Sequence, residues 1–204
     1  MRLHAVDYHA AGLGSFGHPE GYIGRQVRGW SERYAAAATE KVPEMDAVAR
    51  WLAERIPAER GAAVIHNDFK FDNLLLDPED PARVVALLDW EMTTVGDPLM
   101  DLGSALAYWI EPGDPPELLE AAMGPTFLPG MWTRKRFAEE YALRSGRSVE
   151  GIAFHYCFGL FKTAVIVQQI YARYVRGLTR DPRFAGMNKM VAVLARQAAR
   201  ALRA

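Results

Sequence analysis

The sequence predicts a mostly helical α+β fold with a small β element at its centre. Three observations point there. Apolar residues recur at three- and four-residue intervals through some seven segments. Only three short runs, all between residues 62 and 88, read as strands. After Asp97-Pro98 the pattern turns helical and stays so.

Each element has its own warrant. Residues 3–10 look helical and polar. Residues 21–39 carry Tyr22, Ile23, Val27, Trp30 and Tyr34 at helical intervals. Pro43 suits a first helical position, and Met45, Val48, Trp51, Leu52 and Ile56 extend a stripe as far as Pro57. Residues 62–65 read as a strand and 73–76 as a second. Asp77-Pro78-Glu79-Asp80-Pro81 is a turn, rich in residues that cannot continue a sheet. Residues 84–88 form a third strand. Asp97 is a plausible N-cap for a helix over 98–109 that opens on Pro98. Residues 111–130, rich in proline and glycine, loop around a short helix, and helices over 133–145, 149–176 and 187–203 complete the chain.

Composition bounds the function. At 204 residues the chain can form one well-cored domain or one lobe of a larger protein. Its 24 basic and 25 acidic residues leave a formal net charge of -1, so no strong field draws nucleic acid or an anionic membrane. Arg196, Arg200 and Arg203 share a helix face and read as solvated charges that complement the helix dipole. Cys157 is the only cysteine, which excludes an internal disulfide and a cysteine metal cluster and suits a reducing cytosol. The N-terminal residues lack the apolar core of a secretory signal. The longest apolar stretch, 151–171, is interrupted by His155, Lys162, Gln168 and Gln169, as in a buried helix rather than a membrane span. The expectation is a soluble cytoplasmic protein with neither nucleic-acid nor membrane partners.

The chemistry concentrates in His66-Asn67-Asp68-Phe69-Lys70-Phe71-Asp72-Asn73 and in Asp89-Trp90-Glu91 after the apolar run. Phosphoryl transfer needs an oriented hydroxyl and a divalent cation across the phosphates, and little else from the protein. Magnesium takes oxygen ligands and usually only one or two protein side chains. Asn73 and Asp89 sit at the two ends of a predicted hairpin that brings them together. Asp68, five residues before Asn73, remains to accept a hydrogen bond from an attacking hydroxyl.

His-x-Asp-x-x-x-x-Asn, a strand and then Asp resembles the catalytic and metal-binding motifs of the protein-kinase-like superfamily, in its aminoglycoside phosphotransferase/choline kinase branch. The wider context, Leu3-His4-Ala5-Val6-Asp7 and Leu87-Leu88-Asp89-Trp90-Glu91 through Gly96-Asp97-Pro98-Leu99-Met100-Asp101-Leu102, is similar to a subgroup known simply as the phosphotransferase family. That subgroup includes the kinase-like domain fused to some acyl-CoA dehydrogenases. The resemblance implies that residues 1–204 form a kinase-like C-terminal catalytic lobe. It implies an ATP-dependent O-phosphotransferase that uses Mg2+ and acts on a small-molecule hydroxyl. Asp68 would be the catalytic base, or orient the hydroxyl, and Lys70 could touch the transferred phosphate. Asn73 and Asp89 would hold magnesium. His66 would brace the loop, and Asp101 would tie down its backbone. Asn67 stands where this branch usually has glycine, and Trp90-Glu91 replaces the Phe-Gly of protein kinases.

Other motifs fail on context. Gly12-Leu13-Gly14-Ser15-Phe16-Gly17 fits a nucleotide loop in spacing, but it follows no strand, and no lysine-bearing strand of the kinase type succeeds it. A calcium loop from Asp68 to Glu79 would place Lys70 and Asn73 where an oxygen ligand and a glycine are required. His4 and His9 are off the helical spacing of a zinc pair. The chain therefore carries no recognisable N-terminal nucleotide-binding lobe. It is expected to need such a lobe as a partner, or to self-associate through the surface the lobe would cover; a non-catalytic kinase-like module or an inactive fragment is the alternative. For the acceptor, Glu111, Asp114, Glu117 and Glu120 are a weak acidic cluster. Trp109, Trp132, Tyr156 and Phe161 could line a pocket, although aromatic residues at this spacing usually belong to a core.

Overall fold

A computed structural model describes residues 1–120, 122 and 124–202. The helices are α1 (Tyr22–Ala37), α2 (Pro43–Glu54), α3 (Pro98–Tyr108), α4 (Pro116–Glu120), α5 (Arg134–Ser145), α6 (Ile152–Val175) and α7 (Met187–Ala201). The strands are β1 (Ala63–Ile65), β2 (Leu74–Leu76), β3 (Val84–Leu87) and β4 (Thr94–Gly96). Arg203, the third member of the C-terminal arginine face, lies outside the described residues.

Helix α6 is the spine. It buries residues all round, among them Phe154, Phe158, Phe161 and Val165, and packs against α1, α2, α3 and α7. Its crossing with α3 is backbone against backbone. A Cβ on Gly103 would collide with the His155 carbonyl, and one on Gly159 with the Gly103 carbonyl. Two glycines thus let α3 and α6 approach closely enough for side chains from both to reach the same loop. The main core joins α1, α2, α6 and α7, while Leu99, Leu102, Leu106 and Tyr141 form a second cluster under α5.

Helix ends follow local chemistry. The Asp97 carboxylate accepts from the Leu99 and Met100 N–H groups, and Pro98 opens α3 as expected. Thr133 caps α5, and Gly146 ends it at φ 69°.

The β structure differs from the three-strand expectation. Among the described residues there are four strands in two separate antiparallel pairs: β1 with β4, matching Val64 to Val95, and β2 with β3, matching Leu74 to Leu87. Strand β4 has only three residues, too few to show a period in sequence. Residues 3–10 are not a helix. A single 3-10 turn over Leu3–Ala5 gives way to a turn in which Asp7 accepts from the His9 and Ala10 N–H groups. The glycine-rich segment 12–17 is a loop whose last glycine lies flat on β4, where any Cβ would meet the Thr94 hydroxyl and the Val95 backbone. Among the described residues no helix is long and apolar enough to cross a membrane.

Candidate active site

The loop from β1 to β2 is fixed from below by α3. Asp101, in the first turn of that helix, is buried and accepts from the His66 N–H at 3.0 Å and the Asn67 N–H at 2.7 Å. Its Oδ2 also meets His4 Nε2 at 2.8 Å, and His4 Nδ1 meets the Tyr141 hydroxyl at 2.8 Å. Burial works to raise the Asp101 pKa, but the hydrogen bond and charge of His4 and the two loop N–H donors prevail and hold it below the usual carboxylate range. The helix N-terminus favours the same anionic form. Asp101 thus bonds the backbone N–H groups of two consecutive loop residues. His4 stands in the quoted Leu3-His4 motif, but nothing in the sequence linked it to Asp101.

Asn67 takes the left-handed conformation, φ 66°, that the usual glycine would adopt freely. Asparagine tolerates this better than other side chains, and here it is anchored as well. Its Nδ2 donates to the Met92 carbonyl at 3.0 Å and to the Tyr22 hydroxyl at 3.1 Å. His66 is fully buried, with Trp90 edge-on at 5.1 Å. Its Nδ1 accepts from the Asp68 N–H at 3.2 Å, so Nε2 carries the hydrogen and donates to the Leu88 carbonyl at 2.9 Å. Both ring nitrogens are thus engaged, one within the loop and one on the carbonyl that follows β3.

Asp68 is ringed by donors. Tyr108 at the end of α3 donates to Oδ1 at 2.8 Å; Asn73 Nδ2 at 2.9 Å and Lys70 Nζ at 3.1 Å meet Oδ2. Burial pushes the carboxyl pKa up, but the Tyr108, Lys70 and Asn73 hydrogen bonds outweigh it and lower the pKa overall. An ionised carboxylate offers about four lone-pair positions, and three donors occupy three of them. One acceptor position remains for a hydroxyl. Tyr108 is a member of this site that the sequence reading did not single out. It arrives from forty residues away, with no local signal.

Asn73 and Asp89 close the hairpin. The Leu88 N–H donates to the Asn73 carbonyl at 2.8 Å, so Asp89 begins one residue beyond that bond. Asp89 is exposed, has φ 63°, and its carboxylate makes no hydrogen bond among the described residues. Asn73 Nδ2 is engaged by the Asp68 carboxylate and by the Asp68 carbonyl at 2.7 Å, which leaves Oδ1 as the atom that could face a cation. One amide oxygen and one unengaged carboxylate are the donor set magnesium takes when phosphates supply other oxygens, so these residues fit that ion. Among the described residues, no three His, Cys, Asp or Glu side chains converge into a closed metal site.

The acceptor side is less polar than its sequence suggests. Arg134 pairs with both Glu111 and Asp114, and Arg196 lies 3.8 Å from Glu117, so three of the four acidic residues already face a cation. Phe161 and Tyr156 are not pocket residues: Phe161 is wholly buried in the core, and Tyr156 packs under Arg134. Trp109 does flank the site, 5.8 Å from Phe71 and 4.7 Å from Phe137, and donates to the Trp132 carbonyl. A cavity of about 850 Å³ lies behind the loop between residues 1–4, the hairpin and helices α3 and α5. His66 and Asp101 line it, but Asp68, Asn73 and Asp89 do not, so it is not the place where the chemistry converges.

Three comparisons bear on this geometry. The model of a family described as "Phosphotransferase enzyme family" matches residues 1–138. Acyl-CoA dehydrogenase family member 10 of Mus musculus is 36% identical over 178 residues, covering 86% of this chain and 16% of that protein. Acyl-CoA dehydrogenase family member 11 of Gallus gallus is 34% identical over 201 residues, covering 95% of this chain and 25% of that protein. The chain thus spans a quarter or less of the length of these two relatives. The crystal structure of a putative aminoglycoside phosphotransferase from Ralstonia eutropha JMP134 superposes with a TM-score of 0.84 at 31% identity. That match covers 98% of this chain and 61% of the other.

Proposed function

The chain belongs to the phosphotransferase enzyme family and has its kinase-like fold, and we propose that it is the catalytic lobe of an ATP-dependent O-phosphotransferase acting on a small-molecule hydroxyl. The observation that carries this reading is the Asp68 carboxylate, kept ionised by Tyr108, Lys70 and Asn73 with one acceptor position left over. A strongly basic group is not needed, because phosphoryl transfer through a loose transition state depends on orientation and charge more than on early proton removal.

The acceptor hydroxyl donates to the remaining position on Asp68, which aims its oxygen lone pair at the γ-phosphorus. Lys70, already within 3.1 Å of Asp68, offers a positive charge to the migrating phosphoryl oxygens. One P–O bond forms to the acceptor oxygen, the bond to the nucleoside diphosphate breaks, and the hydroxyl proton leaves through Asp68. Magnesium, held by Asn73 and Asp89, would neutralise charge on the phosphate oxygens.

Two relatives whose names contain acyl-CoA dehydrogenase make hydroxylated acyl thioesters the first acceptor class to test, ahead of polycations, for which the Arg134-paired acidic residues are a poor match. The hairpin presents Leu75, Val84, Val85, Leu88 and Trp90 to solvent, each about half exposed. A nucleotide-binding lobe, in the same polypeptide or in a partner, is the cover we assign to this face; self-association is the alternative. The buried lone thiol of Cys157 suits a cytoplasmic setting.

The test is acceptor-dependent ADP release, measured with the chain joined to such a lobe against panels of hydroxyacyl thioesters, aminoglycosides and amino alcohols. Asp68→Ala should lower turnover by roughly 10²–10⁴-fold. Turnover unchanged by that substitution would remove Asp68 from the mechanism. A lobe that binds nucleotide but phosphorylates none of the panel would favour a non-catalytic module.

A further inference from the structure

Lys162 is a lysine in the wrong place for an ordinary lysine. It lies in the middle of α6, is 4% exposed, and has no carboxylate within ion-pair distance among the described residues. Burying an ammonium without a paired anion is expensive, and such groups concentrate where function requires them. The amine is nevertheless not idle. It donates to the Asn67 main-chain carbonyl at 2.5 Å and stands 5.7 Å from the centre of the Trp30 ring.

We propose that Lys162 is a positioning residue that, with Asp101, clamps the loop backbone at residues 66 and 67 so that Asp68 faces its substrate. The two grips are complementary. Asp101 on α3 takes the N–H groups of His66 and Asn67; Lys162 on α6 takes the carbonyl of Asn67, the peptide group that leads directly into Asp68. Asn67 is the residue with positive φ, so this carbonyl is where the turn departs from ordinary backbone and where it would relax without a hold. The Gly103–Gly159 crossing sets both clamp helices at a fixed separation.

The charge of the clamp is supported by its surroundings. Burial draws the Lys162 pKa down to about 8, while Asp68 and Asp101 act to raise it and Lys70 to lower it. At neutral pH the ammonium form is retained, and its field reaches the Asp68 carboxylate without a direct contact.

The role of Lys162 in turnover rests on the phosphotransferase reading, but its hold on the loop does not, and the experiment separates the two. Lys162→Met keeps most of the apolar stem and removes the donor; Lys162→Gln and Lys162→Arg each return one. Amide hydrogen exchange is measured on all four proteins. In the Met variant the amides of His66, Asn67 and Asp68 should exchange about tenfold faster or more, with those in the middle of α1 and α7 unchanged. At least one of the Gln and Arg variants should recover most of that protection. Loop amides as protected in Met as in wild type would overturn the proposal. So would a loss spread evenly over all helices that neither donor variant reverses, since Lys162 would then be core filling only. With an acceptor in hand, the Met variant should lose roughly 10–100-fold in kcat at nearly constant acceptor KM. A change confined to KM would overturn the positioning role. If wild type turns over no acceptor while the exchange pattern is as expected, the phosphotransferase reading fails and the clamp stands.

Discussion

Replacing Asp101 by Asn tests the foundation of the site, because the substitution changes one atom and the structure says which contacts that atom holds. Asp101 accepts three hydrogen bonds, from the His66 N–H, the Asn67 N–H and His4 Nε2. An amide keeps one oxygen, which can stay on the Asn67 N–H. Its NH₂ then faces the others. His4 can exchange tautomers, accept at Nε2 and donate from Nδ1 to Tyr141, but the His66 N–H has no such remedy. One buried backbone donor is left unsatisfied, at about 1–3 kcal/mol, and the remaining bonds lose their charge assistance, at about 1 kcal/mol each. The sum is about 3–5 kcal/mol, a large share of a domain stability of about 5–15 kcal/mol. For a chain of this size it corresponds to a fall in Tm of roughly 6–20 °C. The assay is urea unfolding at neutral pH and again in acid. The wild-type carboxyl has a native pKa below its unfolded value, so its contribution is fully present above pH of about 4 and is lost as pH falls through the depressed native value. The variant has no such contribution, and the two unfolding curves should converge in acid. A neutral-pH difference under about 1 kcal/mol, or a difference that does not shrink on acidification, would refute the clamp as drawn.

Two further substitutions separate backbone from chemistry. Asn67→Gly should cost about 1–2 kcal/mol through the lost Tyr22 and Met92 hydrogen bonds, and Asn67→Ala about 1–2 kcal/mol more because alanine resists positive φ; alanine equal to or better than glycine in thermal unfolding would contradict the assigned conformation. Asp89→Asn should leave stability within about 0.5 kcal/mol, since the side chain is exposed and makes no hydrogen bond among the described residues. The same variant should lose magnesium-dependent nucleotide binding by calorimetry, and retained binding would remove Asp89 from the cation site.

The parts of this protein legible in sequence share one property: their determinants are close along the chain. The helix stripes of α1 and α2 could be read because a helix face is specified within a dozen residues, and α3 because Asp97-Pro98 marks its start. The hairpin was legible because Asp77-Pro78 and Asp80-Pro81 punctuate two apolar runs, and Asp68 with Asn73 because five residues separate them. Strand β4 was not, since three residues carry no period and its pairing with β1 spans thirty residues of chain. Asp101 entered only through resemblance, and its three ligands could not have been listed from spacing.

Tyr108 and Lys162 mark the harder limit. Each is a polar residue inside a segment that sequence reads as a helix; Lys162 stands out there only as an interruption of the apolar stretch, and Tyr108 not at all. What distinguishes them is the crossing of α3 and α6, where two glycines let the backbones touch and so bring the end of one helix and the middle of the other onto one loop. That crossing is a property of residues 103 and 159 jointly, and neither glycine is informative alone. The consequence is directional. A motif search finds the groups that act on substrate, because those must sit on one short loop to share a reacting atom. The groups that aim them can come from anywhere the core delivers a side chain, so they are visible only as an anomaly of burial: a lysine with no carboxylate, a tyrosine hydroxyl on a carboxylate, a histidine between a tyrosine and an aspartate. In this fold those three anomalies all terminate on residues 66–68 or on the aspartate that holds them, which is the physical reason to read the loop as a site rather than as a turn.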